Sequence, residues 1–281
     1  MDISFTVPQA TEPVVKPRIR AALGRASAVL QERGNLLLMI LTFLFCLLVT
    51  FSWLVTAQLL IMLLAWVGAL IPHYGVALLV QDLGVLLSGL LFFLTVPPIW
   101  LGRLRMAGLL LAGESPLMAE ILYYYTTPRR WGRAVLIGLI IALMVLIPVV
   151  LGLSAFVGAL ALYDELSFYL EAFVAVPILI FSLLLCVAFG LLLLFLSGFY
   201  LLFAAMAVGN SKLPLGRALG LALQTGYRSL PTLFVFSLRS LWHLVLSLCT
   251  VGVLHMLWYA HHYIISYLHL GRMLCKGDDP V

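Results

Sequence analysis

The chain has 281 residues, of which 64% are hydrophobic and only 10% are charged, and its formal net charge is +5. A soluble protein carries about 25% charged residues, because its surface must be hydrated. This composition excludes a water-soluble globular domain and predicts an all-α, polytopic bundle of transmembrane helices.

The first segment, 1–34, is predicted to be a basic arm on the cytoplasmic side. The apolar residues that recur in it at helical spacing are Ile19, Ala22, Leu23, Ala26, Val29 and Leu30. This pattern predicts an amphipathic helix on the inner membrane surface. For residues 1–15 a partly disordered tail is an equal alternative. A cleavable signal peptide is not indicated, because no apolar core follows a short basic start.

Residues 35–271 are predicted to form a single transmembrane domain, followed by a cytoplasmic tail at 272–281. A span needs about 20 mainly apolar residues. Windows of this kind predict six spans, near 35–57, 83–102, 132–158, 172–206, 230–250 and 252–271. The charge-free run between Arg33 and Asp82 is too long for one perpendicular span and lacks a polar turn. It is interpreted as one long tilted helix, or as one span with an interfacial extension that ends at Ile71–Gly75.

The basic residues predict the orientation. All but one of the 16 Lys and Arg residues fall on one side when the N-terminus is placed inside, and Arg103 and Arg105 are assigned to the loop after the second span. Basic residues resist translocation, so both termini are predicted to be cytoplasmic. The residues predicted to contact anionic lipids of the inner leaflet are Arg18, Arg20, Arg25, Arg129, Arg130 and Arg133. The basic excess is explained by topology and lipid contact, and no nucleic-acid partner is predicted.

Arg239 is the basic residue that breaks this pattern. It lies about 16 Å into the fifth predicted span at 1.5 Å per residue, and His243 follows one turn later. An ionisable residue at that depth is costly, so one hypothesis is a site for a substrate anion or a counter-ion. The alternative is a structural Arg satisfied by carbonyls, water or an acid such as Asp82 or Asp164.

The last predicted span carries a stripe of polar residues. They are His255, Tyr259, His262, Ser266 and His269, and their spacing places them on one helix face. Successive histidines are about 10 Å apart along the axis, too far for this helix alone to bind one metal ion. No metal or cofactor is therefore predicted. The stripe is interpreted as a proton path or, alternatively, as a set of helix–helix hydrogen bonds.

Three stretches of the sequence carry a resemblance to a known family. They are the basic arm Arg18–Asn35, the segment Ala119–Arg133 with the following Leu146-Ile147-Pro148, and Ala218–Arg228 with the later Tyr259, Tyr263 and Tyr267. In these stretches the chain resembles a family of uncharacterised bacterial multipass membrane proteins, known only as a domain of unknown function. Where that family has a Trp after the Asn of the arm, this chain has Leu36. The resemblance implies the multipass topology and no known activity, substrate or cofactor.

No catalytic or nucleotide-binding signature occurs in the sequence: GxxxxGK[ST], HExxH and GxSxG are all missing. An enzyme is therefore not predicted. The leading hypothesis is a transporter-like or accessory component of the bacterial inner membrane. The alternatives are a scaffold that binds other membrane proteins through its inner loops and, third, a lipid-modifying enzyme.

Overall fold

The computed structural model of the chain is all-helical. It describes residues 15–32, 34–167, 177, 180, 184, 198–199, 201–209, 213–249 and 258–276. The helices are α1 (Val15–Gln31), α2 (Asn35–Ala69), α3 (Tyr74–Leu111), a 3₁₀ helix (Met118–Tyr125), α4 (Pro128–Ser167), α5 (Leu215–Arg228), α6 (Leu230–Cys249) and α7 (Ala260–Lys276). Residues 201–209 are also helical. The predicted all-α class is confirmed.

Two helices of the described residues, α2 and α3, are long and apolar enough to cross a membrane. They contain 35 and 38 residues, about 52 and 57 Å at 1.5 Å per residue. The predicted spans near 35–57 and 83–102 fall within them. Six spans are not supported. The predicted span at 172–206 lies mostly outside the described residues, and so do residues 252–257 of the last predicted span, whose described α-helix runs from Ala260 to Lys276.

A tight turn at residues 70–73 joins α2 to α3. The backbone N–H groups of Leu70 and Ile71 donate to the carbonyls of Val67 and Gly68, at 3.1 and 3.0 Å, and Pro72 cannot continue the helix because it has no N–H. The interpretation of this run as one continuous tilted helix is wrong. The predicted end at Ile71–Gly75 agrees with the end of α2 at Ala69, and the chain then turns back so that α3 packs against α2 as a helical hairpin.

Small residues form the contact between α2 and α3. The hydroxyl of Ser88 lies 3.5 Å from the carbonyl oxygen of Ala57, and a Cβ added to Gly68 would lie 3.0 Å from the carbonyl oxygen of Ala77. Gly68 follows Ala57 by as many residues as Ala77 precedes Ser88. Both contacts therefore belong to one antiparallel register of the two helices. Small side chains allow this close approach of two backbones, as they do between membrane helices.

The core of the described residues surrounds the end of the hairpin that lies opposite the turn. It joins α1, the second half of α3, α4, residues 201–209, α5 and α7. The apolar face of α1 is part of it, with Ile19, Ala22 and Ala26 buried and α7 as its main neighbour. The predicted amphipathic helix is present. Its apolar face, however, covers protein and is not free to enter lipid, which corrects the prediction.

α3 stays helical through a Pro-Pro pair that ends at Pro98. Proline has no N–H, so the carbonyl of Leu94 loses the hydrogen bond that position 98 donates in a regular helix. The indole Nε1 of Trp131 donates to this carbonyl instead, at 3.0 Å. The phenol of Tyr125 donates to the next carbonyl along the helix, and burial raises the pKa of Tyr125 to about 12, which keeps the phenol protonated. The indole of Trp131, which follows α3 in sequence, thus replaces the donor that is lost at Pro98.

Candidate functional site

A groove between α1, α6 and α7 brings together polar residues that are distant in sequence. Arg239 of α6 lines it with Tyr259 and with His262 of α7, and Arg20 of α1 lies on the same cavity. The cavity has a volume of about 390 Å³. The sequence predicts that Arg20 contacts lipid and that Arg239, Tyr259 and His262 lie in the bilayer interior. The fold places all four in one site.

The imidazole of His262 is held by contacts with α1 and with its own helix. Its Nε2 lies 3.1 Å from the hydroxyl of Ser27 and 3.2 Å from the carbonyl oxygen of Leu23. Its Nδ1 lies 3.5 Å from the hydroxyl of Ser266, and Trp258 stacks on the ring with 6.0 Å between centroids. Because a carbonyl can only accept, the hydrogen bond to Leu23 assigns the ring proton to Nε2.

The two guanidinium groups of the groove have no protein partner in the part of the chain that the structure describes. Arg20 and Arg239 are both exposed, and neither makes a hydrogen bond or an ion pair to a described residue. They belong to α1 and α6, two helices that are in contact. Two like charges on one cavity repel each other unless an anion lies between them.

The rest of the predicted polar stripe is described in part. Ser266 is buried and His269 is half-buried. His255 lies outside the described residues, and so does the side chain of His243 in α6. Tyr259 and His262 therefore line the groove, and Ser266 is buried beside His262. The proton path itself stays a hypothesis.

A second polar cluster, centred on Arg103, is not predicted from the sequence. Arg103 is only 1% exposed, and its terminal nitrogen lies 2.8 Å from Nδ1 of His261. Its guanidinium carbon lies over the rings of Phe43 and Trp100, 4.7 and 5.6 Å from their centroids. Arg103 Nε has no hydrogen-bond partner among the described atoms. Since a guanidinium only donates, Nδ1 of His261 must accept, and the imidazole is neutral.

The assignment of Arg103 and Arg105 to a loop is wrong, because α3 continues to Leu111 and contains both. The signal that could have shown this is Gly113. It has a φ of 80°, the left-handed conformation in which helices commonly end on a glycine. Gly102 and Gly108 precede it but lie inside α3, so the sequence alone does not single out Gly113.

Two further guanidinium groups stack on one aromatic ring near the same end of α3. Arg105 and Arg130 lie 3.8 and 4.3 Å from the ring centroid of Tyr123. Arg105 also pairs with Glu120 at 3.4 Å. The ring and the carboxylate together offset the repulsion between the two cations.

The residues predicted to contact anionic lipids differ in exposure. Those that are exposed are Arg20, Arg25, Arg129 and Arg130. Arg133 is half-buried and donates to the carbonyl of Ala207 at 3.1 Å, so protein rather than lipid holds its side chain. The side chain of Arg18 lies outside the described residues.

Comparison with known proteins leaves the chain without an assigned family. No family model, curated protein or solved structure matches it. Within the described residues, no group of three His, Cys, Asp or Glu side chains could hold a metal ion. Its function must therefore be argued from its own geometry.

Proposed function

We propose that the chain is an integral protein of the bacterial inner membrane that acts as a transporter-like or accessory component, with the α2–α3 hairpin crossing the bilayer. The observation that carries this proposal is the outer surface of the hairpin. Large apolar side chains stay exposed along both helices, among them Leu59, Leu63 and Trp66 of α2 and Leu79 and Leu86 of α3. The core helix of a soluble protein buries such side chains, whereas lipid accepts them.

Several hydroxyl groups and one indole of the hairpin are satisfied within it. The hydroxyls of Thr50, Thr56, Ser88 and Thr95 each donate to the carbonyl four residues earlier. The indole of Trp53 donates across the hairpin to the carbonyl of Ser88 at 3.1 Å. Lipid offers no hydrogen-bond partners, so a spanning element must satisfy its polar groups internally.

The charges on α3 support one placement of the bilayer. No charged residue occurs between Asp82 and Arg103, and the stretch 83–102 is about 30 Å long, the thickness of the hydrocarbon core. Trp100 lies at its inner end, where interfacial aromatic residues are found. This stretch coincides with the second span predicted from the sequence.

The orientation and the number of spans extend the proposal. Arg103, Arg105 and Arg130 lie at the end of the hairpin opposite the turn, and basic residues stay on the cytoplasmic side. The turn at 70–73 then faces outward, and both termini are cytoplasmic. Further spans near 132–158 and 172–206 extend the proposal. The windows 230–250 and 252–271 are not proposed as spans, because His261 contacts Arg103 at the inner end of the charge-free stretch of α3.

Cysteine accessibility tests this proposal. His73 lies in the turn and Glu114 follows α3, and both are exposed. In intact cells, a membrane-impermeant maleimide should label the His73→Cys protein and should leave the Glu114→Cys protein unlabelled until the membrane is permeabilised. The wild-type protein, with its four native cysteines, gives the background.

Two results would contradict the proposal. The first is labelling of both positions only after permeabilisation, which would place the turn and the end of α3 on one side. The second is release of the protein from membranes by alkaline carbonate, which removes peripheral proteins and leaves integral ones.

A scaffold function is the second candidate, because apolar side chains are exposed on the helices outside the hairpin. Leu117 and Leu122 are 75% and 44% exposed beside α3, and Leu223 and Tyr227 of α5 are 46% and 75% exposed. The buried face of α5 consists of small residues, so its larger apolar side chains face outward. Replacing Leu117 and Leu122 with Ser should abolish co-purification of a membrane partner if the scaffold hypothesis holds.

A further inference from the structure

The groove between α1, α6 and α7 carries an uncompensated positive charge. Arg20 and Arg239 both line it, and neither is paired with an acid in the described part of the chain. A guanidinium presents a planar set of N–H donors that matches the oxygens of a carboxylate or a phosphate. An oxyanion is therefore the ligand class that fits this pair of cations.

The rest of the groove fits an organic body attached to that oxyanion. The indole of Trp258 and the phenol of Tyr259 line it beside Leu23 and Gly24. Its volume of about 390 Å³ lies within the range of small-molecule sites, which combine an apolar lining with a few polar anchors. Ser27 and His262, which contact each other at 3.1 Å, lie at the edge of this lining.

We propose that the groove is a binding site for an organic oxyanion, with the phosphate or carboxylate held between Arg20 and Arg239 and the organic body packed against Trp258. Two sources share this chemistry, the headgroup of an anionic lipid and a soluble metabolite. The site does not depend on the hairpin crossing the membrane. Only the lipid source rests on the proposed function.

The position of the groove makes both sources accessible. His262 follows His261, which contacts Arg103 at the end of the charge-free stretch of α3. In the proposed membrane orientation this is the level of the inner headgroups. A ligand could then enter from the leaflet or from the cytoplasm.

Binding of phenyl phosphate tests the oxyanion site, with phenol as the uncharged control ligand. Titration calorimetry is carried out on the full chain in phosphatidylcholine nanodiscs. Arg239→Gln and Arg20→Gln should each weaken phenyl phosphate binding by about tenfold, as expected for the loss of one charge-assisted hydrogen bond. Arg217→Gln is the matched control, because Arg217 is an exposed arginine of α5 outside the groove.

A second arm separates the two sources. If the natural ligand is a lipid headgroup, phosphatidylglycerol in the nanodiscs should compete with phenyl phosphate. If the ligand is soluble, phosphatidylglycerol should leave the affinity of the protein for phenyl phosphate unchanged. Size-exclusion chromatography and circular dichroism check that each variant is folded. The proposal is overturned if the Arg20→Gln/Arg239→Gln double variant behaves like Arg217→Gln toward both phenyl phosphate and phosphatidylglycerol.

Discussion

The contact between Arg103 and His261 should contribute strongly to stability. In the variant His261→Leu, the buried guanidinium of Arg103 loses the acceptor that lies 2.8 Å away. A hydrogen bond to a charged group is worth about 1.5–3 kcal/mol. The substitution also removes the edge-to-face contact with Phe43, whose ring centroid lies 5.6 Å from that of His261, which adds about 1 kcal/mol. We therefore expect a total loss of about 2–4 kcal/mol in the free energy of unfolding.

A double-mutant cycle isolates the hydrogen bond from the packing. Arg103→Met removes the buried charge, so in that background His261→Leu should cost only the aromatic contact, about 1 kcal/mol. The expected coupling energy between the two positions is then about 2 kcal/mol. His261→Asn is the matched control, because its side-chain oxygen can replace Nδ1 as acceptor and should recover most of the loss.

Thermal unfolding of the four proteins of the cycle in neutral detergent, followed by circular dichroism, measures this coupling. If the losses from Arg103→Met and His261→Leu are additive within about 0.5 kcal/mol, the two side chains do not stabilise each other. The reasoning from the 2.8 Å contact would then be refuted.

Two further predictions concern the hairpin and the stack on Tyr123. A Cβ on Gly84 would lie 3.3 Å from a methyl carbon of Leu64, whereas one on Gly89 of the same helix would meet nothing within 4 Å. Gly84→Leu should therefore lower the free energy of unfolding by about 1–3 kcal/mol relative to Gly89→Leu, and equal melting temperatures would contradict a close-packed hairpin. Tyr123→Leu should cost about 1–2 kcal/mol, because two cation–π contacts are lost, whereas Tyr123→Phe should retain them. If thermal unfolding shows equal losses for both, the guanidinium stack is not the cause.

The sequence predicts those features that depend on local pattern. The 3.6-residue spacing of Ile19, Ala22 and Ala26 predicts α1, and the apolar runs predict the helical class and the two long helices. Arg239 and His262 are predicted as candidate site residues because an ionisable side chain within an apolar span is energetically costly. That they share a groove with Arg20 depends on how α1 packs on α7, which local pattern does not contain.

The features that sequence reasoning missed depend on contacts between distant residues. The sequence predicts a break at Ile71–Gly75, but the return of the chain as a hairpin depends on the packing of α3 against α2. The orientation rule assigns arginines to loops at the membrane surface. Arg103 is instead buried against Phe43 of α2 and His261 of α7. Its burial depends on the packing of three helices, which the local sequence does not contain.

The hydrogen bond from Trp131 to the carbonyl of Leu94 also has a consequence for the order of assembly. A helix normally completes its own backbone bonding as it forms, but α3 lacks the donor at Pro98 and receives one from the chain that follows it. The carbonyl of Leu94 therefore receives this hydrogen bond only after the start of α4 has been synthesised and has docked. Until then, the two halves of α3 are joined by a weakened turn, and the hairpin can adjust its tilt before its inner end is fixed.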